Sequence, residues 1–173
     1  MIDLQNMKRE DVLKKVYEIA FAYERDLGNC PQCLLATMHD IFGIGDDDSF
    51  KAATGFAGGG GLTGDGTCGA LIGGIMAIGL VLGRDKEGHR SRKGAGRAYG
   101  AAKKVTDRFS EEFEGVVCKD VQKKIFGRSF DLLNKEDYEK FEKMGAHTDK
   151  CTDVVGKAAM WTADIILDEL TKE

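Results

Sequence analysis

One proline stands against 23 glycines in these 173 residues. That ratio constrains the fold more than any other feature. Sheets joined by tight turns draw on Pro-marked corners, whereas helices joined through glycine need none, because a left-handed glycine ends a helix by itself. Apolar residues make up 42% of the chain, enough for the core of one ordinary domain. The expected architecture is therefore all-α, a single-domain helical bundle over residues 1–173. No repeat of fixed period is visible.

The periodicity agrees. Val12, Leu13, Val16, Tyr17, Ala20 and Tyr23 recur at three and four before Gly28, one face of an amphipathic helix. Pro31 suits the first turn of a second helix from Cys30 to Gly43. Asp46 to Ser49 offer caps for a short helix over Phe50 to Thr54. A glycine-rich loop, GFAGGGGLTGDGT at 55–67, precedes a central apolar helix from Cys68, CGALIGGIMAIGLVL. Polar Gly83 to Gly94 reads as a linker, and Ala95 to Phe113 as the next helix. A short amphipathic stretch opens at Cys118, and Asn134 caps KEDYEKFEKM. The last helix starts near Asp149 to Cys151.

Several classes of function fall away. With 25 basic and 29 acidic residues the net charge is −4, which does not suit nucleic acid. The apolar run from Ala70 to Leu82 is short of the roughly 20 residues a membrane span needs. Charges throughout Met1 to Arg25 read against a secretory signal, so the expected location is the cytoplasm. There, five cysteines are more readily explained by metal or redox chemistry than by disulfides. The glycine loop has no strand before it and no Gly-Lys-Ser/Thr after it, which speaks against a phosphate loop.

The positions of the cysteines sharpen this. Cys30, Cys68, Cys118 and Cys151 each fall at an expected helix start, where unpaired N–H groups and the helix dipole favour thiolate. Four such starts can converge on one anionic centre, and an iron–sulfur cluster is such a centre. The plainer explanation, cysteine as a small buried hydrophobe, holds for most isolated cysteines. Glycines 58–61 would let backbone N–H groups approach an anion. Gly69 and Gly73, one turn apart, are the expected close-approach positions for the cofactor or a neighbouring helix. Cys33 completes a Cys30-Pro31-Gln32-Cys33 pair and is the less certain ligand, lying a turn inside its helix. His147, four residues before Cys151, reads as a solvated or capping histidine; His39 as a surface pair with Asp40; His89 as solvated. Eight Lys or Arg between 84 and 104 form either a solvated face or a dock for an acidic carrier.

The segment Cys68-Gly69-Ala70-Leu71-Ile72-Gly73, with Asn29-Cys30 and Gln32 upstream and Cys118 and Cys151 downstream, resembles the C-GCAxxG-C-C family of redox-active proteins. That family is similar to the cluster-bearing part of split-Soret cytochromes. The resemblance covers roughly Leu27 to Ala159. It implies that Cys30, Cys68, Cys118 and Cys151 hold an iron–sulfur cluster, 2Fe-2S or 4Fe-4S. The family name writes Gly-Cys-Ala where this chain has Cys68-Gly69-Ala70. Leu34 follows Cys33 where a haem-attachment motif needs His, so no c-type haem is expected. The expected role is electron transfer or redox support, with an electron-transfer protein as partner and a homodimer as the oligomer to test. Whether the chain is also an enzyme stays open. Two alternatives are a thiol–disulfide or metal-trafficking protein working through Cys30 and Cys33, and a structural zinc site.

Overall fold

The first long helix, α1 (Arg9–Leu27), buries Val12, Val16, Ala20 and Glu24, a stripe repeating every four residues. In this computed structural model, which describes residues 7–171, that stripe faces the last helix, α9 (Cys151–Leu170). Met1 to Asn6, part of the charged N-terminal run, and the final two residues lie outside the described region. Gly156 makes the α1–α9 contact close, since a Cβ there would sit 2.7 Å from the Tyr17 ring. Tyr17 donates to Asp153 Oδ1 at 2.7 Å. At the other end Arg9 pairs with Asp164 and Asp168, and Arg108 also reaches Asp164.

The helices between α1 and α9 in the chain supply the rest of the main core. α2 (Cys30–Phe42) carries Pro31 in its first turn and stops at left-handed Gly43. α3 (Asp47–Ala53) starts three residues earlier than the sequence indicates, because Asp46 and Ser49 cap it reciprocally. α4 (Gly69–Leu82) is apolar nearly all round and is buried among α2, α6 and α9, as a helix with no polar face must be. The expected linker after it contains a short helix, α5 (Lys86–Arg90), capped by Asp85. α6 (Gly96–Phe113) buries Ala101, Val105, Phe109 and Phe113, and its phenyl rings meet Trp161 of α9.

A smaller apolar cluster stands apart. α7 (Cys118–Phe126), α8 (Lys135–Lys143) and the wide turn Ala146–Lys150 enclose Phe130, Leu132, Phe141 and Ala146, with Phe126 against them. His147 breaks helical geometry inside that turn, at φ −99° and ψ 20°. Among the described residues, extended pairing is limited to one antiparallel bridge between Thr67 and Val117. The fold is all-α. No helix of the described residues is long and apolar enough to cross a membrane.

Candidate functional site

The two clusters meet around a cavity of about 240 Å³. Four cysteines line it: Cys30 from the start of α2, Cys68 from the cap of α4, Cys118 from the start of α7 and Cys151 from the start of α9. These are the four that sit at helix starts in the sequence. The rest of the wall is largely apolar and includes Leu27, Ile125, Leu132, Phe141, Val154 and Val155.

The glycine loop builds one side. Gly58, Gly59, Gly60 and Gly61 all have positive φ, between 57° and 82°, a run that side chains would resist. The loop folds back on itself through Gly64 N–H to Gly58 O and Gly66 N–H to Gly59 O. Its far end is pinned to α7: Cys118 N–H donates to Gly66 O at 2.9 Å, and Lys119 N–H to Gly64 O at 2.9 Å. Val116 O in turn accepts from Cys68 N–H at 2.7 Å. A Cβ on Gly59 would come within 2.9 Å of the Cys118 Cβ.

Helix starts do less for the thiols than the sequence indicates. At α7 the loop carbonyls already take the N–H groups of Cys118 and Lys119. At α9 the Cys151 N–H bonds back to Ala146 O through the wide turn. Only two thiols gain backbone donors: Cys30 from Gly58 N–H, and Cys68 from Ala70 and Leu71 N–H. Burial outweighs them. It pushes the Cys68 thiol up to about 12 and that of Cys118 up to about 11, and it raises Cys30 and Cys151 well above the usual thiol value. With no cation present these cysteines are thiols, and ligation has to release their protons.

Cys33 goes elsewhere. It is buried, is not part of the cavity wall, and donates its S–H to Gly28 O at 2.8 Å. Burial raises its pKa further, with the Glu24 carboxylate adding to the effect. A nucleophilic Cys30–Cys33 couple would need a lowered thiol pKa, and neither residue has one. Gly69 and Gly73 are not on the wall either. A Cβ on Gly69 would lie 2.8 Å from Cys30 Sγ and from Pro31 Cδ, and one on Gly73 would lie 2.9 Å from Pro31 O. They let α2 lie against α4, which in turn sets where Cys30 stands.

Gln122 and Glu24 have no place among the sequence expectations, and His147 has a different one. Gln122, one turn after Cys118, is 2% exposed; its Nε2 lies 3.7 Å from Cys118 Sγ while its Oε1 accepts from Phe130 N–H at 2.9 Å. Glu24 is equally buried. His147, expected to be solvated, is half-buried between Glu24 and Glu142. The spacing Val12-Val16-Ala20-Glu24 was the available signal for the buried carboxyl, and the Cys118-to-Gln122 interval of four was the signal for the glutamine. His39 and His89 are both away from the cavity; His39 Nδ1 lies 3.1 Å from Gly45 O, and His89 falls in α5. None of the eight basic residues between 84 and 104 lines the cavity.

No three His, Cys, Asp or Glu side chains among the described residues come close enough together to share one metal ion. A single zinc held by thiolates at about 2.3 Å therefore does not match the arrangement, whereas a cavity ringed by four thiols leaves room for a group of several atoms. No curated protein and no solved structure matches the chain. A family model described as "Putative redox-active protein (C_GCAxxG_C_C)" matches residues 28–165, a span that contains all four wall cysteines and the glycine loop. The chain belongs to this C-GCAxxG-C-C family of redox-active proteins.

Proposed function

We propose that the protein is an electron-transfer or redox accessory protein whose centre is an iron–sulfur cluster held by Cys30, Cys68, Cys118 and Cys151. The observation that carries this reading is the convergence of four thiols, from four separate helix starts, on one largely apolar cavity. The donor set fits the group: thiolates are the usual ligands of such clusters, and the wall is largely apolar, which tunes a potential through local dielectric. When bound, the cluster supplies one-electron chemistry. The chain's own residues supply the rest. Gly58 N–H donates toward Cys30, Ala70 and Leu71 N–H toward Cys68, and the Gln122 amide orients toward Cys118. All of them stabilise negative charge on sulfur. Phe141, Leu132 and Val155 make their part of the wall apolar. A one-electron carrier protein is the natural partner, in a reducing cytoplasm where the thiols stay free.

Anaerobic purification tests this directly. The expected product is brown, with iron and acid-labile sulfide in stoichiometric amounts. Serine at Cys30, Cys68, Cys118 or Cys151 should strip or alter the visible spectrum, and Cys33→Ser should keep it. A colourless protein without iron or sulfide overturns the reading. Loss of the centre in Cys33→Ser but not in Cys118→Ser would transfer the ligand role to the Cys30–Cys33 pair.

A further inference from the structure

The redox reading leaves one part of the cavity wall unused. Glu24 is 2% exposed, and its Oε2 has no hydrogen-bond partner. Asn29, on the same wall, leaves its Oδ1 unpartnered as well. A carboxyl group at an apolar stripe position costs stability unless something compensates it, so its presence needs a reason. Burial is the main cause that pushes its pKa up to about 7, where it can exchange a proton near neutrality.

A file of groups connects Glu24 with the surface. Its Oε1 lies 3.7 Å from His147 Nε2, and His147 Nδ1 lies 2.6 Å from Glu142 Oε1, on a side chain 36% exposed. Phe141 holds the imidazole edge-on, with ring centres 5.9 Å apart. The titratable groups that act on Glu24 or feel its charge come from every neighbouring element. They are Cys30 and Cys33 of α2, Cys68 at the cap of α4, Tyr138 and Glu142 of α8, His147 of the wide turn and Cys151 of α9. Of these, His147 and Glu142 form the file that leads from Glu24 toward the surface.

We propose that Glu24 takes up one proton each time the centre in this cavity accepts one electron, with His147 and Glu142 as its route to water. The inference rests on the redox reading above. An added electron places a further negative charge in a largely apolar cavity beside the carboxylate, and like charges there repel. A one-electron carrier protein is oxidised as the centre is reduced. The proton comes from solvent through Glu142, enters His147 at Nδ1, and the imidazole releases another from Nε2. An O–H bond forms on the Glu24 carboxyl, so the charge of the cavity does not change. Reoxidation reverses each step.

Redox titration of the iron-loaded protein from about pH 6 to about pH 9 tests the coupling. At the acid end of this range, where Glu24 is already protonated in the oxidised state, the potential should be flat. Above it the potential should fall by about 59 mV per pH unit, the value for one proton per electron. In Glu24→Gln the curve should be flat throughout. A pH-independent wild type above neutrality, or an unchanged slope in Glu24→Gln, overturns the proposal while leaving the redox reading intact. If no iron-linked potential exists at all, both readings fail together. Should Glu24→Gln not hold iron, the reduced-minus-oxidised infrared spectrum of the wild type decides instead. A protonated carboxyl stretch that appears on reduction and shifts in D2O supports the proposal, and its absence overturns it.

Discussion

The two apolar clusters are built on different principles. The larger one packs α1, α2, α4, α6 and α9 through long stripes of aliphatic side chains, with small residues where backbones approach. The smaller one, under α7 and α8, rests on three phenylalanine rings with centres 5.3 to 5.4 Å apart. Its frame is made of hydrogen bonds among loops, from Cys118 N–H to Gly66 O and from Phe130 N–H to Gln122 Oε1. One region is a finished core. The other closes over a cavity. Regions with few buried contacts open first, and here that region supplies Cys118 and packs against Cys151.

The largest test separates the two by truncating one ring in each. Phe109→Ala should cost about 3–5 kcal/mol, visible as a lower denaturation midpoint of the whole chain. Phe141→Ala should act locally. Amide exchange should accelerate in α7, α8 and the wide turn, and iron binding should weaken, while α1 and α9 stay protected. Equal acceleration everywhere in Phe141→Ala would mean that the two clusters form one cooperative unit.

Adding a methyl group to a glycine of each region gives a finer comparison. Gly156→Ala presses on the Tyr17 ring and should cost about 1–3 kcal/mol through overpacking between α1 and α9. Gly59→Ala combines a φ of 78° with the contact to Cys118. It should cost about 1–2 kcal/mol and lower iron occupancy as well. Metal analysis on both variants checks the contrast, which disappears if Gly156→Ala loses more iron than Gly59→Ala.

The smallest expected effect lies far from the cavity. Burial works to raise the pKa of Asp164, but Arg108 and Arg9 outweigh it and hold it below the usual carboxylate range. Such a group stabilises the fold above its unfolded pKa, and the contribution is lost as pH falls through the folded value. Asp164→Asn should therefore cost about 1 kcal/mol or less at neutral pH, given how exposed the arginines are. In strong acid it should cost nothing. Urea denaturation at the two pH values measures the difference, and an equal cost at both would remove the ionic explanation.

Much of this was legible in the sequence because glycine marks chain reversals and cysteine marks chemistry. Gly28, Gly43, Gly127 and Gly145 all end helices or precede turns with left-handed φ, and the four cysteines at helix starts do share one cavity. What periodicity could not reveal was cross-chain partnership. Nothing local says that Gly66 will cap α7, that Ala146 O will take the Cys151 N–H, or that His147 will stand between two glutamates. Local sequence also overstates the electrostatic effect of helix starts, because burial depends on the whole fold and here dominates the thiols. The short α5 was hidden for a simpler reason: five polar residues carry no stripe.

The reciprocal hydrogen bonds that join the glycine loop to α7 have a consequence for assembly. Cys68 and Cys118 are separated by 50 positions, and closing so long a loop opposes association by about 3–4 kcal/mol of chain entropy. Gly66 O, Val116 O and the bridge at Thr67 and Val117 achieve that closure within the polypeptide itself. The iron–sulfur centre proposed above would therefore meet two sulfur donors already gathered, and its binding energy would not be consumed in bringing distant segments together. Pre-organisation of this kind favours capture that is fast and discriminating over capture that must fold its own site.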